Sequence, residues 1–120
     1  MFQCSDLGEP IISPVEHGNF VLYVENESWQ ITPVDIQVYI DGRRAVAQAF
    51  PFNTWQGMNR FEFLVEEGKH TLRATSSYAR DGQSVDFIRS STPYAVVYFF
   101  PDSQPPFFQI FLYASQPTFY

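Results

Sequence analysis

Residues 34–50 read VDIQVYIDGRRAVAQAF, and residues 60–77 read RFEFLVEEGKHTLRATSS. Val34, Ile36, Val38 and Ile40 alternate with Asp35, Gln37, Tyr39 and Asp41, the period of a strand with one buried face. Asp41-Gly42 follows. Both residue types tolerate positive φ, so the dipeptide fits a two-residue hairpin turn that returns the chain through Arg43 to Phe50. In the second segment Phe61, Phe63 and Val65 alternate in the same way. Glu66-Glu67-Gly68 offers a turn, and Leu72 and Ala74 carry the pattern onto a further strand. Two successive hairpins predict an all-β protein.

The flanks extend this reading. Residues 1–18 carry Gly8, Pro10, Pro14 and Gly18 and predict an extended lead-in, with an edge strand near Pro10 to Val15 where proline is tolerated. From Asn19 to Glu25, Phe20, Leu22 and Val24 face a core while Val21, Tyr23 and Glu25 face out. Asn26-Glu27-Ser28 reads as a polar turn and is a formal N-x-S glycosylation acceptor. Pro51 ends the first hairpin, and residues 52–59 form a loop holding Trp55 and Met58. Asp81-Gly82 predicts a second tight turn, so that Ser84 to Ser90 folds back on Leu72 to Tyr78. Tyr94 to Phe100 and Phe107 to Ala114 are the last strands. No window shows capped helical periodicity. The expectation is one β-sandwich domain spanning residues 1–120, with about seven or eight antiparallel strands.

Composition narrows the function classes. The 120 residues include 13 Phe and 7 Tyr, which suit pleated, half-buried surfaces. Seven basic and 13 acidic residues give a net charge of −6. Nucleic-acid binding rests on neutralising phosphates with Lys and Arg, and anionic membranes attract basic segments, so both partners are disfavoured. No apolar run approaches the ~20 residues of a membrane-spanning helix. The single cysteine, Cys4, excludes an internal disulfide and a CxxC pair. Cys4-Ser5-Asp6 also looks like the start of a mature bacterial lipoprotein, in which case Met1-Phe2-Gln3 would not belong to the mature chain.

Val38-Tyr39-Ile40-Asp41-Gly42, followed by Gly68-Lys69-His70-Thr71-Leu72-Arg73-Ala74, resembles bacterial immunoglobulin-like modules and PEGA-type domains, in which a V-x-I-D-G hairpin precedes a G-x-H-x-L element. The resemblance covers residues 34–82. The Gly-x-Thr-Pro element of PEGA-type domains is absent, and Ala45 to Ala49 stand in its place. The resemblance implies an immunoglobulin-like β-sandwich without catalytic residues, in the periplasm, at the cell surface or secreted.

Side chains able to do chemistry are scattered. His70 shares the parity of Leu72 and Ala74 and should point inward, satisfying backbone groups at its turn; the alternative is a metal ligand beside Asp41, Glu66 or Glu67. With His17 it supplies two histidines, whereas zinc takes three or four His, Cys or carboxylate ligands. Asp35, Asp41, Glu62, Glu66 and Glu67 fall at outward strand positions and turns, not as a pair facing one substrate. Ser76-Ser77 and Ser90-Ser91 lack a nucleophile elbow. Asp81 and Asp86 lack the spacing of a calcium loop. The sequence therefore predicts no enzyme, no metal and no cofactor; the rival reading is a small metal-dependent enzyme built on His17, His70 and nearby carboxylates.

Aromatic residues carry the binding expectations. Trp29, Tyr39 and Trp55 are candidate ligand-binding residues, because exposed rings can stack on sugars. From Ser90 to Tyr120 the only charge is Asp102, and ten of the aromatic residues lie there. Tyr94 to Phe100 and Phe107 to Tyr113 are apolar on both faces, as expected of strands central in a covered sheet or buried in an interface. Tyr98, Phe100, Phe108, Phe111 and Tyr113 are the candidate interface residues. A protein partner or a second copy of the chain is expected, with a glycan as the alternative ligand.

Overall fold

Among the described residues eight strands form, in the chain order that the alternation predicts. The computed structural model describes residues 10–52 and 59–118; Cys4 and Trp55 lie outside them. The strands are β1 (Phe20–Asn26), β2 (Val34–Ile40), β3 (Arg43–Phe50), β4 (Asn59–Phe63), β5 (Lys69–Ser76), β6 (Ala79–Ile88), β7 (Tyr94–Phe100) and β8 (Phe107–Tyr113). They make two four-stranded sheets, ordered β4-β1-β7-β8 and β3-β2-β5-β6. Alternate residues of both sheets meet in one core. Phe20, Leu22 and Val24 of β1 pack with Ile36 and Val38 of β2, Leu72 of β5 and Val97 and Phe99 of β7. Phe20 stacks on Phe87 of β6 across the layers, with ring centroids 4.6 Å apart. Facing sheets with interdigitated inner faces are a β-sandwich.

The first hairpin is as predicted. Asp41 and Gly42 have φ of 53° and 77°, and Ile40 pairs with Arg43. Two consecutive positive φ values make the turn whose twist matches the flanking strands. Asp41 then ties this turn to β5: its N–H donates to the Thr71 carbonyl (2.8 Å), and its Oδ1 accepts from the Thr71 N–H (2.9 Å).

Other connections differ from the sequence reading. Glu66-Glu67-Gly68 does not close a hairpin. It carries the chain from β4 in one sheet to β5 in the other. Asp81-Gly82 is not a turn but an irregularity inside β6, where the β5 register shifts between Ala74 and Ser76. The turn lies earlier, at Ser77-Tyr78. Asp35 holds it there, accepting from the Ser77 N–H (2.9 Å) and from the hydroxyls of Ser77 (2.5 Å) and Ser76 (3.2 Å). The strands are also not all antiparallel, because β1 runs parallel to β7, with Val21 opposite Tyr94 and Glu25 opposite Tyr98. An immunoglobulin sandwich places its first, second, fifth and fourth strands in one sheet. Here β1 pairs instead with β4 and β7.

The lead-in joins the two layers along one side. On β3, the Ile12 N–H donates to the Arg44 carbonyl (3.0 Å) and the Arg44 N–H to the Pro10 carbonyl (2.9 Å). On β4, the Val15 N–H donates to the Glu62 carbonyl (2.8 Å) and the Asn19 N–H to the Phe63 carbonyl (2.9 Å). Gly18 allows this close approach: a Cβ there would stand 2.5 Å from the Phe63 carbonyl oxygen. Between β1 and β2, Asn26 is fully buried, and its amide donates to the carbonyls of Ile31 (2.9 Å) and Phe50 (3.1 Å). That amide is occupied in the fold, so the N-x-S match is not an accessible glycosylation site.

Candidate functional site: an aromatic face ending in an open edge

The outer face of the β4-β1-β7-β8 sheet is built by parity. With Phe20, Leu22, Val97 and Phe99 turned inward, Val21, Tyr23 and Glu25 of β1, Tyr94, Val96, Tyr98 and Phe100 of β7, and Phe107, Gln109, Phe111 and Tyr113 of β8 must point outward. Strand register sets them in rows. Glu62, Val21, Tyr94 and Tyr113 form one row; Arg60, Tyr23, Val96 and Phe111 form the next. Charge lies on the β4 side, where Arg60 pairs with Glu62 and hydrogen-bonds Tyr23, and at Glu27 just past β1, whose carboxylate acts on Tyr98. Toward β8 the face is uncharged.

The rings cover one another. Tyr98 meets Phe111 edge-on at 5.8 Å, Phe100 stacks on Phe107 at 4.7 Å, and Phe111 lies 6.4 Å from Tyr113. Each such pair contributes about 1 kcal/mol beyond the area it buries. Beneath them Val96 is fully buried, with Val21 and Tyr23 nearly so. Ring-on-ring packing therefore leaves little of this aromatic surface exposed. Phe107 and Phe111, at 41% and 40% exposure, are the large apolar side chains of this face that stay exposed, and both belong to β8. The Phe108 side chain, a candidate for the interface, does not lie on this outer face. It is 7% exposed, faces inward and stacks on Phe99 at 4.1 Å. Tyr98, Phe100 and Tyr113 are half-buried on the outer face. Phe107 is the residue sequence reasoning missed, although it shares parity with Phe111 and Tyr113.

Glu25 is the second departure. Alternation assigned it to solvent, yet it is fully buried at the end of the central strand β1, opposite Tyr98. Its Oε2 accepts from the Asn59 N–H (3.2 Å), and its Oε1 has no hydrogen-bond partner among the described residues. Burial pushes its carboxyl up to about 8; the Asn59 N–H opposes this and the nearby Glu27 charge reinforces it. The acid is therefore protonated at neutral pH. Burial, with the charges of Tyr113, Glu27 and Glu25, also raises the Tyr98 phenol above its ordinary value.

The remaining candidates do not converge on a reaction centre. His70 turns inward beside Phe87, with ring centroids 5.6 Å apart. Its Nδ1 lies 2.5 Å from Asp41 Oδ2 and its Nε2 lies 2.6 Å from the Glu66 carbonyl. Both partners only accept, so both nitrogens donate and the ring is an imidazolium. Burial pulls its pKa down, but the hydrogen bonds to Asp41 and Glu66 and the Asp41 charge outweigh it, leaving the value raised. Asp41 is lowered: burial opposes this, while His70 and the Thr71 N–H prevail. This clamp satisfies backbone groups between the β2–β3 turn and the β4–β5 crossing. His17 is exposed in the lead-in, where its charge acts on Glu62. Among the described residues no three His, Cys, Asp or Glu side chains are grouped to hold a metal, and no helix is long and apolar enough to cross a membrane.

Of the ligand-binding candidates, Trp29 is 68% exposed in the β1–β2 connection. Tyr39 is half-buried near the far end of β2. At about 3.3 Å per residue along the strand, the two rings do not form one platform. A groove of about 390 Å³ opens between the start of β6 and the start of β8, walled by Tyr78, Arg80, Asp81, Pro106 and Phe107. The chain matches no protein-family model, no curated protein and no solved structure.

Proposed function

We propose that this chain is a non-catalytic binding or self-association module that works through the outer face of β7 and β8, within a bacterial envelope, surface or secreted protein. One observation carries the reading: on a chain of net charge −6, the aromatic strands β7 and β8 carry no charge, and the face they form ends in the exposed rings of Phe107 and Phe111. Covering the exposed part of either phenylalanine, about 80 Å² each, would contribute about 2 kcal/mol. The immunoglobulin-like resemblance of residues 34–82 belongs to the same proposal. The Asp41-Gly42 hairpin supports it, and the β1 pairing argues for a sandwich with its own strand order.

Hydroxyl-radical footprinting tests the reading. Tyr94, Tyr98, Phe107, Phe111 and Tyr113 are expected to be protected when the chain is labelled in an extract of its source, relative to the purified chain at nanomolar concentration. Trp29 and Tyr78 should label equally in both. Equal labelling of the β7–β8 rings in both samples would end the proposal. A glycan reading that uses Trp29 predicts the opposite pattern, with protection at Trp29 alone.

A further inference from the structure

A sheet edge is a row of unpaired N–H and C=O groups, and native proteins protect such edges with charge, proline, irregularity or a covering segment. This sandwich has four edge strands: β3, β4, β6 and β8. The lead-in hydrogen-bonds to β3 and to β4. The β6 edge carries Arg80, Asp81 and Asp86 and is broken by its register shift. β8 reads FFQIFLY, with no charge, no proline and no register shift, and among the described residues it pairs with β7 alone. Among the described residues three edges are protected and one is open.

The groups that β8 presents follow from the hydrogen bonds of β7. The Val21 N–H donates to the Pro93 carbonyl and the Glu27 N–H to the Phe99 carbonyl. In β7, odd-numbered residues therefore bond toward β1, and Tyr94, Val96, Tyr98 and Phe100 bond toward β8. Their partners are Tyr113, Phe111, Gln109 and Phe107. The N–H and C=O groups of Phe108, Ile110 and Leu112 are left facing the open edge.

We propose that a second copy of this chain pairs antiparallel along β8, about a two-fold axis at Ile110. This deepens the binding reading and rests on it. The axis sets Ile110 against Ile110 of the second copy and Phe108 against Leu112, so the three residues of each strand whose backbone groups face the edge exchange both hydrogen bonds. On the outer face Phe107 meets Tyr113 and Gln109 meets Phe111, which joins the two aromatic faces into one surface. Self-complementarity favours this occupant: under the two-fold axis each free edge N–H of β8 meets an edge C=O of the same strand in the second copy, and β8 sets no charge against its like. Two copies of net charge −6 repel wherever their acidic surfaces meet, and β8 is the uncharged edge through which they can approach.

Register makes the test specific. Sedimentation velocity of the purified chain at micromolar concentration should give twice the 13.9 kDa chain mass. The double variant Gln109→Lys, Phe111→Lys sets lysine against lysine twice across the axis and should sediment as a monomer with an unchanged circular dichroism spectrum. The pair Gln109→Glu, Phe111→Lys sets opposite charges in the same positions and should recover the dimer. Ile110→Pro removes a central edge donor that β7 does not use, and should weaken association at least tenfold. A monomeric wild-type chain at 100 μM overturns the edge pairing; footprint protection in the extract would then still uphold a contact face for another protein. A dimer that both the Lys/Lys and the Ile110→Pro variants leave intact overturns it equally.

Discussion

Replacing Glu25 with glutamine should remove most of the pH dependence of folding between pH 5 and 8. The wild-type carboxyl has its value raised from 4.5 to about 8 in the folded chain. The unfolded chain therefore releases this proton near pH 4.5, while the folded chain keeps it until about pH 8. Between those limits the folded state binds more protons, so stability falls as pH rises. At 1.36 kcal/mol per pH unit the full span corresponds to about 5 kcal/mol. Local opening lets water reach the carboxylate, so a loss of about 3 kcal/mol by pH 8 is the expected size. That is a large share of the 5–15 kcal/mol typical of a domain. Glutamine keeps the shape and the acceptor for Asn59 but cannot ionise. Urea unfolding at half-unit pH intervals is the assay. At pH 5 the variant should be equal to or slightly less stable than wild type, by about 1 kcal/mol, because its amide gains no acceptor. At pH 8.5 it should be the more stable of the two. Parallel profiles, or a flat wild-type profile from pH 5 to 9, would refute the argument.

His70 titrates in the same direction by another route. Its raised value means that its contribution is complete below pH 6.5 and is lost as pH rises through the folded value; in the Glu25→Gln background the slope that remains near neutrality should vanish on adding His70→Gln. Asp35 behaves oppositely. Burial opposes its lowered value and the Ser77, Gln37 and Ser76 hydrogen bonds produce it, so its contribution is lost only as pH falls through that value; Asp35→Ala should cost about 2 kcal/mol at pH 7 in chemical denaturation, and less as the pH is taken down through the folded value. Gly42→Val forces a β-branched residue to a φ of 77° and should cost roughly 1 kcal/mol or more, read as a lower melting temperature. Chelation should leave the thermal midpoint where it was, since only a ligand that prefers the native state would shift it; a large drop with EDTA would revive a His70–carboxylate metal site.

The strands were legible because their information is local. Alternation from Val34 to Ile40 and the Asp41-Gly42 dipeptide give the same hairpin in sequence and in structure. Pairing between distant strands was not legible. Phe61, Phe63, Leu72 and Ala74 alternate identically whether β4 and β5 share a sheet or face each other, so periodicity has no means of separating a hairpin from a crossing. Asp81-Gly82 suits a turn and a strand irregularity equally. Asp35, some 40 residues earlier in the chain, selects the turn at Ser77. The aromatic face was half legible: an uncharged stretch marked β7 and β8, but strands apolar on both sides do not say whether Phe107 or Phe108 points out. Glu25 followed alternation in direction and not in environment, because burial depends on the neighbours of a central strand.

The parallel pairing of β1 with β7 has a consequence for the order in which the chain folds. The β2–β3 and β5–β6 hairpins close short loops, and their sheet can begin to form from neighbouring segments. The other sheet has no such start on its N-terminal side: Val21 meets Tyr94 only after about 70 intervening residues have been made. Loop closure costs about 0.6 kcal/mol more for each doubling of length, so this contact forms after the hairpins. Until then β1, carrying Phe20, Leu22 and Val24 on one side and Val21 and Tyr23 on the other, waits without its parallel partner. During synthesis β1 emerges before the other seven strands and yet depends on β7, the last but one. Substitutions in β7 that weaken its pairing should therefore speed unfolding more than they slow folding.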